Sequence, residues 1–306
     1  MPKKIGQREE TLFETLHDLV FVDYEYLEKY IFLNPDGTSQ HINTIRRALK
    51  SLEGEQYIKS FPIAKANVRG ADRLVYTLDK NGIAEVSQIL GGADWDTRWT
   101  QRTPTYIYHS LRMANILTTY RNGIAQANDL AFGEYFSERR AFRNYGEWRR
   151  DKDGKKRQSA HTVIRPDGAF ILKRTVQGKE FRFLYFVEME RSRQRIENTL
   201  EKMFRYNQYV LKKGYEDDPV FGSIDVVRVL FISEKETERD RLLFHSQKAD
   251  VREIEKVQGA LFFSTYSDVM SDPYGVIWKA HASALEDQWY HLAQKVEIER
   301  IHQHST

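Results

Sequence analysis

Three acidic residues stand where their carboxylates could act together. Glu188 and Glu190 follow the apolar run 183–187, and Asp167 lies earlier in the chain, in the stretch "IRPDGAFIL". Because side chains alternate along a strand, Glu188 and Glu190 should share one face with apolar neighbours. A partly buried location is therefore expected. Buried carboxylates are costly unless a divalent cation, an arginine or a lysine compensates their charge.

Oxygen ligands of this kind suit Mg²⁺ or Mn²⁺. Asp167 and Glu188 are the expected metal ligands, with Glu190 beside them, and a bound metal could activate water for attack on a phosphodiester. An ion-pair network without catalysis is the open alternative. Its basic members would come from Arg191, Arg193 and Lys202. A metal cofactor is thus expected only if the site is catalytic.

The acids need a sheet to hold them, and the second half of the chain predicts one. A hairpin is expected around the turn "TVQGKE" (175–180), because strand-like runs lie on both sides of it. The expected strands are 161–164, 169–173, 181–190, 225–234 and 259–269, and the expected helices are 194–212, 239–247 and the last 25 residues. The run 225–234 is nearly all apolar, as in a strand that is buried on both faces. This order predicts an α/β sheet flanked by helices.

The first part of the chain predicts a winged helix-turn-helix. Helices are expected at 8–20 and 24–32, and a third in "SQHINTIRRALKSLEG" (39–54), capped by Thr38 or Ser39. Two strand-like runs follow, 58–64 and 73–78. Three helices and a two-stranded wing would place the third helix in the major groove of DNA.

The third helix has one apolar and one polar side. Its expected buried stripe consists of Ile42, Ile45, Leu49 and Leu52. The polar side can donate hydrogen bonds to phosphates and base edges. Its expected DNA-binding residues are Gln40, Asn43, Thr44, Arg47 and Lys50, joined from the wing by Lys65, Arg69 and Arg73. A protein-interaction role for the same module is the alternative.

Gly, Asp, Thr and Pro in "GGADWDTRWTQRTP" (91–104) mark a domain boundary. The expected organisation is a DNA-binding domain at 1–92, a linker and connecting helix at 93–130, and an α/β domain at 131–306. The helix at 105–128 has an apolar side that could form a homodimer seam. Arginines alternate with aromatics in "FSERRAFRNYGEWRR" (136–150), which suits either nucleic-acid contact or a surface helix.

Composition narrows the protein class. The chain has 306 residues, a net charge of +3 and no cysteine, which excludes disulfides, thiolate zinc sites and a cysteine nucleophile. We find no Walker-type phosphate loop and no dinucleotide-binding glycine fingerprint. The polar start is unlike a signal peptide, and no 18-residue apolar run exists to span a membrane. A cytoplasmic location without membrane contact is expected.

The acidic pattern resembles the PD-(D/E)XK nuclease superfamily. Pro166-Asp167 and Glu188-Met189-Glu190 match its motif, but Glu190 stands where the superfamily usually has lysine. Some members carry that lysine on the following helix, where Lys202 is the matching residue. The resemblance implies a nuclease-like mixed sheet flanked by helices, with Asp167, Glu188, Glu190 and Lys202 as catalytic residues.

A closer resemblance, to the replication-relaxation proteins of bacterial plasmids and mobile elements, rests on the order of several motifs. These are "YHSLRMANI" after the expected winged helix, then "SERRAFR", "RPDGAF" and "FVEMERSRQRIENTLEKMFRYNQYV". The family's signature falls on Pro166-Asp167, Glu188, Glu190, Arg191, Lys202 and Tyr206, with Glu190 replacing the usual Asp. It implies a role in plasmid replication, DNA relaxation or mobilisation.

Three functions follow as alternatives. The first is a DNA-binding accessory factor that recognises a double-stranded plasmid origin or operator, with a relaxase or replication protein as a further partner. Its nuclease-like domain need not cut DNA. The second is a Mg²⁺- or Mn²⁺-dependent DNA endonuclease or nickase using Asp167 and Glu188. The third is a protein-interaction scaffold that does not bind DNA.

Overall fold

The structure is a computed structural model of the chain. It describes residues 5–63, 73–127, 129–146, 149–150, 153, 156–157, 162–190, 196–216, 218–247, 260–281 and 288–292. The chain divides into two compact units, Met1–Asn115 and Ile116–Thr306. The domain limits expected at residues 92 and 130 stay predictions. The mixed α and β architecture expected from the sequence is confirmed.

The first unit contains the three helices and the two-stranded hairpin that the sequence predicted. Its helices are α1 (Gln7–Leu19), α2 (Tyr24–Tyr30), α3 (Ile42–Gly54) and α4 (Lys80–Ile89), and its strands are β1 (Val22–Asp23), β2 (Ile58–Ile63) and β3 (Arg73–Leu78). The strands form an antiparallel sheet in the order β1-β3-β2. The short strand β1, between α1 and α2, and the fourth helix, α4, were not predicted.

The start of α3 differs from the prediction. His41 is the N-cap, and its Nδ1 accepts a hydrogen bond of 3.2 Å from the backbone of Asn43. The hydroxyl groups of Thr38 and Ser39 do not cap the helix. Thr38 donates to Asp36 at 2.6 Å, and Ser39 donates to the carbonyl of Glu28 at 3.1 Å. The helix therefore begins later than expected.

The later start also changes which side chains α3 buries. Ile45, Leu49 and Leu52 are buried as predicted, but Ile42, the first helical residue, is 39% exposed. The predicted four-residue stripe is wrong at that one position. Three spaced apolar residues suffice to fix the helix on the core.

The second unit is built around strands. The boundary between the units falls inside α5 (Pro104–Gly123). Further helices are α6 (Glu138–Ala141), α7 (Ile196–Leu211), α8 (Glu236–Ser246) and α9 (Tyr266–Ser271). The strands are β4 (Leu130–Ser137), β5 (Arg143–Asn144), β6 (Arg149–Arg150), β7 (Lys156–Arg157), β8 (Val163–Ile164), β9 (Gly168–Val176), β10 (Lys179–Glu190), β11 (Val226–Ser233), β12 (Leu261–Thr265) and β13 (Lys279–Ala280).

Six of these strands form one mixed sheet in the order β13-β12-β11-β10-β9-β4. The strands β10, β11 and β12 run parallel, whereas β9, β4 and β13 are antiparallel to their neighbours. The short strands pair separately, β5 with β8 and β6 with β7. The predicted hairpin corresponds to β9 and β10, and the predicted doubly buried strand is β11, which lies between two parallel partners.

Three expectations for this unit need correction. The strand expected at 259–269 ends at Thr265, because the helix α9 begins at Tyr266 with Thr265 as its N-cap. Residues 130–137 form the outer strand β4, which was not predicted because a register shift between Phe132 and Tyr135 breaks its alternation. Of the last 25 residues, only 288–292 are described, and Tyr290 forms a β-bridge with Trp278 there instead of a helix. The rest of that expected helix lies outside the described residues.

The apolar side of α5 is occupied within the chain. Ile107 and Leu111 pack with Phe21, Ile63 and Val75, and all five are buried. Ile107 and Leu111 are therefore covered within the chain, and the homodimer seam considered above stays a prediction. Within the described residues, no helix has both the length and the apolar character needed to cross a bilayer.

Candidate carboxylate site and candidate nucleic-acid interface

The three acidic residues singled out in the sequence come together at one end of the β9–β10 hairpin. Asp167 directly precedes β9, and its backbone N–H donates to the carbonyl of Val187 at 3.0 Å. Its Oδ2 accepts a hydrogen bond of 2.8 Å from the backbone of Met189. Asp167 is thereby fixed beside the residue that separates Glu188 from Glu190. We call Asp167, Glu188 and Glu190 the carboxylate cluster.

Glu188 and Glu190 are buried because β10 is an inner strand. It pairs with β9 on one side and with β11 on the other. The preceding residues on the same face, Leu184 and Phe186, belong to the main apolar core of this unit. Glu188 is 0% exposed and Glu190 is 3% exposed. The alternation predicted from the sequence therefore holds to the end of the strand.

The helix α7 supplies the partners of these buried acids. Thr199, Lys202 and Tyr206 are spaced i, i+3 and i+7, so they share one side of the helix. The Nζ of Lys202 lies 2.7 Å from Oε2 of Glu188 and 3.1 Å from Oε1 of Glu190.

The remaining oxygens of the two glutamates are also engaged. The hydroxyl of Tyr206 donates to Oε1 of Glu188 at 2.5 Å, and Thr199 donates to Oε2 of Glu190 at 3.1 Å. Each oxygen of Glu188 and Glu190 therefore has a donor from α7. Such a fully satisfied network is what allows charged groups to lie inside a protein.

Burial is the largest influence on the protonation of Glu188. It raises the pKa of Glu188 to about 8, although the attraction of Lys202 and the hydrogen bond from Tyr206 work in the opposite direction. Burial alone would lower the pKa of Lys202, but Glu188, Asp167 and Glu190 together raise it above its usual range. Lys202 stays charged, and Glu188 can exchange a proton near neutral pH.

The side chains as they stand fit an ammonium group better than a divalent cation. Lys202 lies between Glu188 and Glu190, where a metal held by both would have to be. One oxygen of Asp167 is already used by the backbone. In the described parts of the chain, no group of three or more His, Asp and Glu side chains is arranged to hold a metal ion. Metal binding by Asp167 and Glu188 stays a prediction.

A cavity of about 270 Å³ opens beside α7 next to this network. Lys202 and Tyr206 line it, together with Arg165, Asn198 and Arg205. Glu201, which pairs with Arg205, also lines it. Because Lys202 is paired with two buried glutamates and Arg205 with Glu201, the positive charge of this concave surface is largely compensated within the chain.

The first unit contains the second candidate surface. Asn43, Thr44, Arg47, Lys50 and Ser51 are all exposed on α3, opposite its buried residues. We call them the outer face of α3. Gln40 lies before the helix and is half-buried, donating from Nε2 to the carbonyl of Leu33 at 3.2 Å. The later start of the helix thus removes Gln40 from the polar side predicted for it.

The wing residues divide into two groups. Arg73, at the start of β3, forms an ion pair with the buried Asp23 and another of 2.7 Å with Glu25. Its guanidinium group therefore stabilises the fold of the first unit. Lys65 and Arg69 lie outside the described residues, as do Arg191 and Arg193, the other basic residues considered for the carboxylate cluster.

A match to a known protein family covers both the carboxylate cluster and the outer face of α3. The sequence model of the replication-relaxation proteins matches residues 13–227, which is more than half of the chain. The chain belongs to the replication-relaxation family. Membership of the replication-relaxation family indicates a role in the replication or relaxation of a plasmid or mobile element. No curated protein and no solved structure matches the chain.

The family match includes the outer face of α3, the carboxylate cluster and α7. For this replication-relaxation protein, the sequence resemblance therefore named the correct family. It also directed attention to Lys202 and Tyr206, which the structure brings to Glu188. The family match does not by itself assign a chemical role to any of these side chains.

Sequence reasoning missed the basic rim of the cavity. Arg165 directly precedes Pro166-Asp167, and Arg205 follows Lys202 by three residues on α7. The i, i+3 spacing of Lys202 and Arg205 on a helix was the available signal. Nothing in the local sequence of Arg165 indicated that it would face α7.

The arginine–aromatic stretch of this family member is largely occupied by internal contacts. Arg143 lies over the ring of Phe221, 3.8 Å from its centroid, and donates to Asp218 at 2.6 Å. Arg140 pairs with Glu134. These contacts favour the surface-packing alternative for the described part of the stretch.

Proposed function

We propose that this replication-relaxation protein binds duplex DNA of a plasmid or mobile element through its first unit, as an accessory factor in replication, relaxation or mobilisation. The observation that carries the proposal is the outer face of α3. It is exposed, contains only side chains that can donate hydrogen bonds, and includes Arg47 and Lys50. Asn suits adenine and Arg suits guanine in the major groove.

The arrangement of the first unit supports the proposal. The order α1-β1-α2-α3-β2-β3, with the three strands in one sheet, is the order of a winged helix-turn-helix. In that class of DNA-binding module the third helix enters the major groove. Here the third helix is the one with the polar outer face.

A direct test measures the binding of the full chain to a duplex from its own replication origin at several salt concentrations. Neutralised phosphates release counterions, so the logarithm of the association constant should fall linearly with the logarithm of salt concentration. Arg47→Ala should weaken specific binding by about 10-fold to 100-fold if it contacts a base. An affinity that does not depend on salt would count against DNA binding and favour a protein-interaction scaffold.

Two lysines of the first unit provide matched variants. Lys50 lies on the outer face of α3, whereas Lys80 is an exposed lysine at the start of α4. Lys50→Ala should reduce the salt slope by about 1, as expected for one lost phosphate contact. Lys80→Ala should leave both slope and affinity unchanged. Equal effects of the two variants would mean that net charge, and not α3, accounts for the binding.

A second candidate function is metal-dependent nicking of DNA, as the nuclease resemblance implies. It is favoured by the contact between Lys202 and Glu188, because the lysine of the nuclease motif is expected to act beside these acids. The test is to incubate supercoiled plasmid with the protein and Mg²⁺ or Mn²⁺. Nicking that is lost in Asp167→Ala supports an enzyme, and no nicking of the cognate origin plasmid by pure protein counts against one.

A further inference from the structure

Ile42 is an apolar residue on the part of α3 that is best placed to meet bases. The residues Ile42, Asn43, Arg46, Arg47 and Lys50 are spaced i, i+1, i+4, i+5 and i+8, and all five are exposed. On a helix this spacing forms one continuous band. We call it the groove strip.

The groove strip begins at the N-terminal end of α3. The residues at that end of a recognition helix are the ones that contact base edges. Ile42 and Asn43 are the first two residues of the helix, and Arg47 lies just over one turn after Asn43. Ile42 therefore occupies a position where contact with a base is expected.

The chemistry of the groove strip singles out one base. Four of its members can donate hydrogen bonds, but the side chain of Ile42 can only make apolar contact. The major groove offers one apolar group, the C5-methyl of thymine. We propose that Ile42 reads a thymine through this methyl group, beside the base that Asn43 contacts. The inference rests on the proposed function, since it requires that α3 enter the major groove.

The surroundings of Ile42 favour DNA over an apolar protein partner. Arg46, Arg47 and Lys50 share the groove strip with it, and no acidic residue belongs to the strip. An apolar protein surface that covered Ile42 would also have to desolvate these positive charges, which is costly. A duplex supplies a methyl group and phosphates together. Ile42 is the only member of the strip that could tell thymine from uracil.

The test uses the full chain and needs no variant for its first step. A preferred duplex is selected from random sequences, and each thymine is then replaced singly by deoxyuracil, which removes the methyl but keeps the hydrogen-bonding groups. One position should lose affinity by about fourfold, the value expected for one buried methyl. Other thymines should show no such change.

Variants then connect that position to Ile42. Ile42→Ala should bind the thymine and deoxyuracil duplexes with equal affinity, whereas Asn43→Ala should bind more weakly but still prefer thymine. Thermal unfolding of Ile42→Ala checks that the first unit still folds. A selected site that is insensitive to every thymine methyl, or sensitivity that survives in Ile42→Ala, overturns the inference alone. Absence of any duplex binding overturns the proposed function and the inference with it.

Discussion

The ammonium group of Lys202 lies 2.7 Å from a carboxylate oxygen of Glu188, a residue that is 0% exposed. The same nitrogen reaches Glu190, so one lysine of α7 compensates two acids of β10. This relationship determines how the second unit should respond to mutation and to pH.

Removal of the lysine should destabilise the protein strongly. Lys202→Ala leaves Glu188 and Glu190 buried without a counter-charge, and breaking a buried ion pair costs about 3–5 kcal/mol. The loss should be largest at pH 9, where Glu188 is ionised, and smaller at pH 6. Urea unfolding at both pH values measures it. Lys212→Ala, an exposed lysine directly after α7, is the control and should change stability by less than about 0.5 kcal/mol.

Glu188 should make stability fall as pH rises through neutrality. Its pKa is about 8 in the folded chain and has the ordinary value of 4.5 when exposed, so between these values the folded state binds more protons. The stability that Glu188 contributes is fully present below pH 4.5 and is lost by pH 8, at up to about 1.4 kcal/mol per pH unit.

Glu188→Gln tests this directly, because glutamine cannot titrate. Unfolding free energies of both proteins are measured from pH 5 to pH 9, and the wild type should lose stability relative to the variant as pH rises. Parallel curves over that range would show that Glu188 is already ionised at pH 5, contrary to the raised pKa.

Tyr206→Phe should weaken the same network without opening a cavity. The hydroxyl of Tyr206 donates to Oε1 of Glu188 and lowers its pKa, so its loss should raise that pKa further. At pH 9 the variant should be less stable by about 1–3 kcal/mol, the cost of a buried acceptor without its donor. In the pH series, the loss of stability should extend to higher pH than in the wild type. An unchanged pH series would mean that the hydroxyl does not bind Glu188.

Arg73 should contribute to the thermal stability of the first unit through its ion pair with Asp23. Burial raises the pKa of Asp23. The hydrogen bond from the backbone of Tyr26 and the positive charge of Arg73 act in the opposite direction and lower it. Arg73→Ala should therefore lower the thermal stability of the first unit, and less so at pH 5 than at pH 8. Adding Asp23→Asn to this variant should restore much of the loss, because asparagine is neutral and can still cap α2. A stable Arg73→Ala protein would contradict the ion pair.

Alanine substitution of two glycines in the first unit compares a closely packed position with an open one. A Cβ on Gly82 of α4 would lie 2.1 Å from the carbonyl oxygen of Tyr57, whereas one on Gly54 meets nothing within 4 Å. Gly82→Ala should cost about 3 kcal/mol or more. Gly54→Ala should be neutral or stabilise the end of α3 by up to about 1 kcal/mol. Thermal melts of the two variants should therefore shift in opposite directions or differ widely.

The elements that the sequence predicted correctly are those with a regular pattern of apolar residues and a clear turn signal beside it. The buried run of β11 and the hairpin of β9 and β10 have regular patterns, and the structure contains them. The strand β4 was missed because its register shift disrupts alternation. The start of α3 was predicted too early because Thr38 and Ser39 can both cap a helix, while contacts with Asp36 and Glu28 decide otherwise.

The carboxylate cluster, too, could be predicted only as far as local sequence patterns reach. Period 2 put Glu188 and Glu190 on one face, and helical spacing put Lys202 beside Thr199 and Tyr206. That the two sets meet depends on how α7 lies over the sheet, which local pattern does not encode. The choice of Lys202 came from the family resemblance, and its contacts with both glutamates are a result of tertiary packing.

The parallel pairing of β10 with β11 has a consequence for biosynthesis. Because α7 lies between them in the chain, β10 leaves the ribosome before the helix that carries Lys202 and before the strand that covers its second edge. Until residues up to Ser233 have emerged, the edge of β10 that pairs with β11 is open. Nascent chains shorter than this contain Glu188 but not the buried environment that raises its pKa.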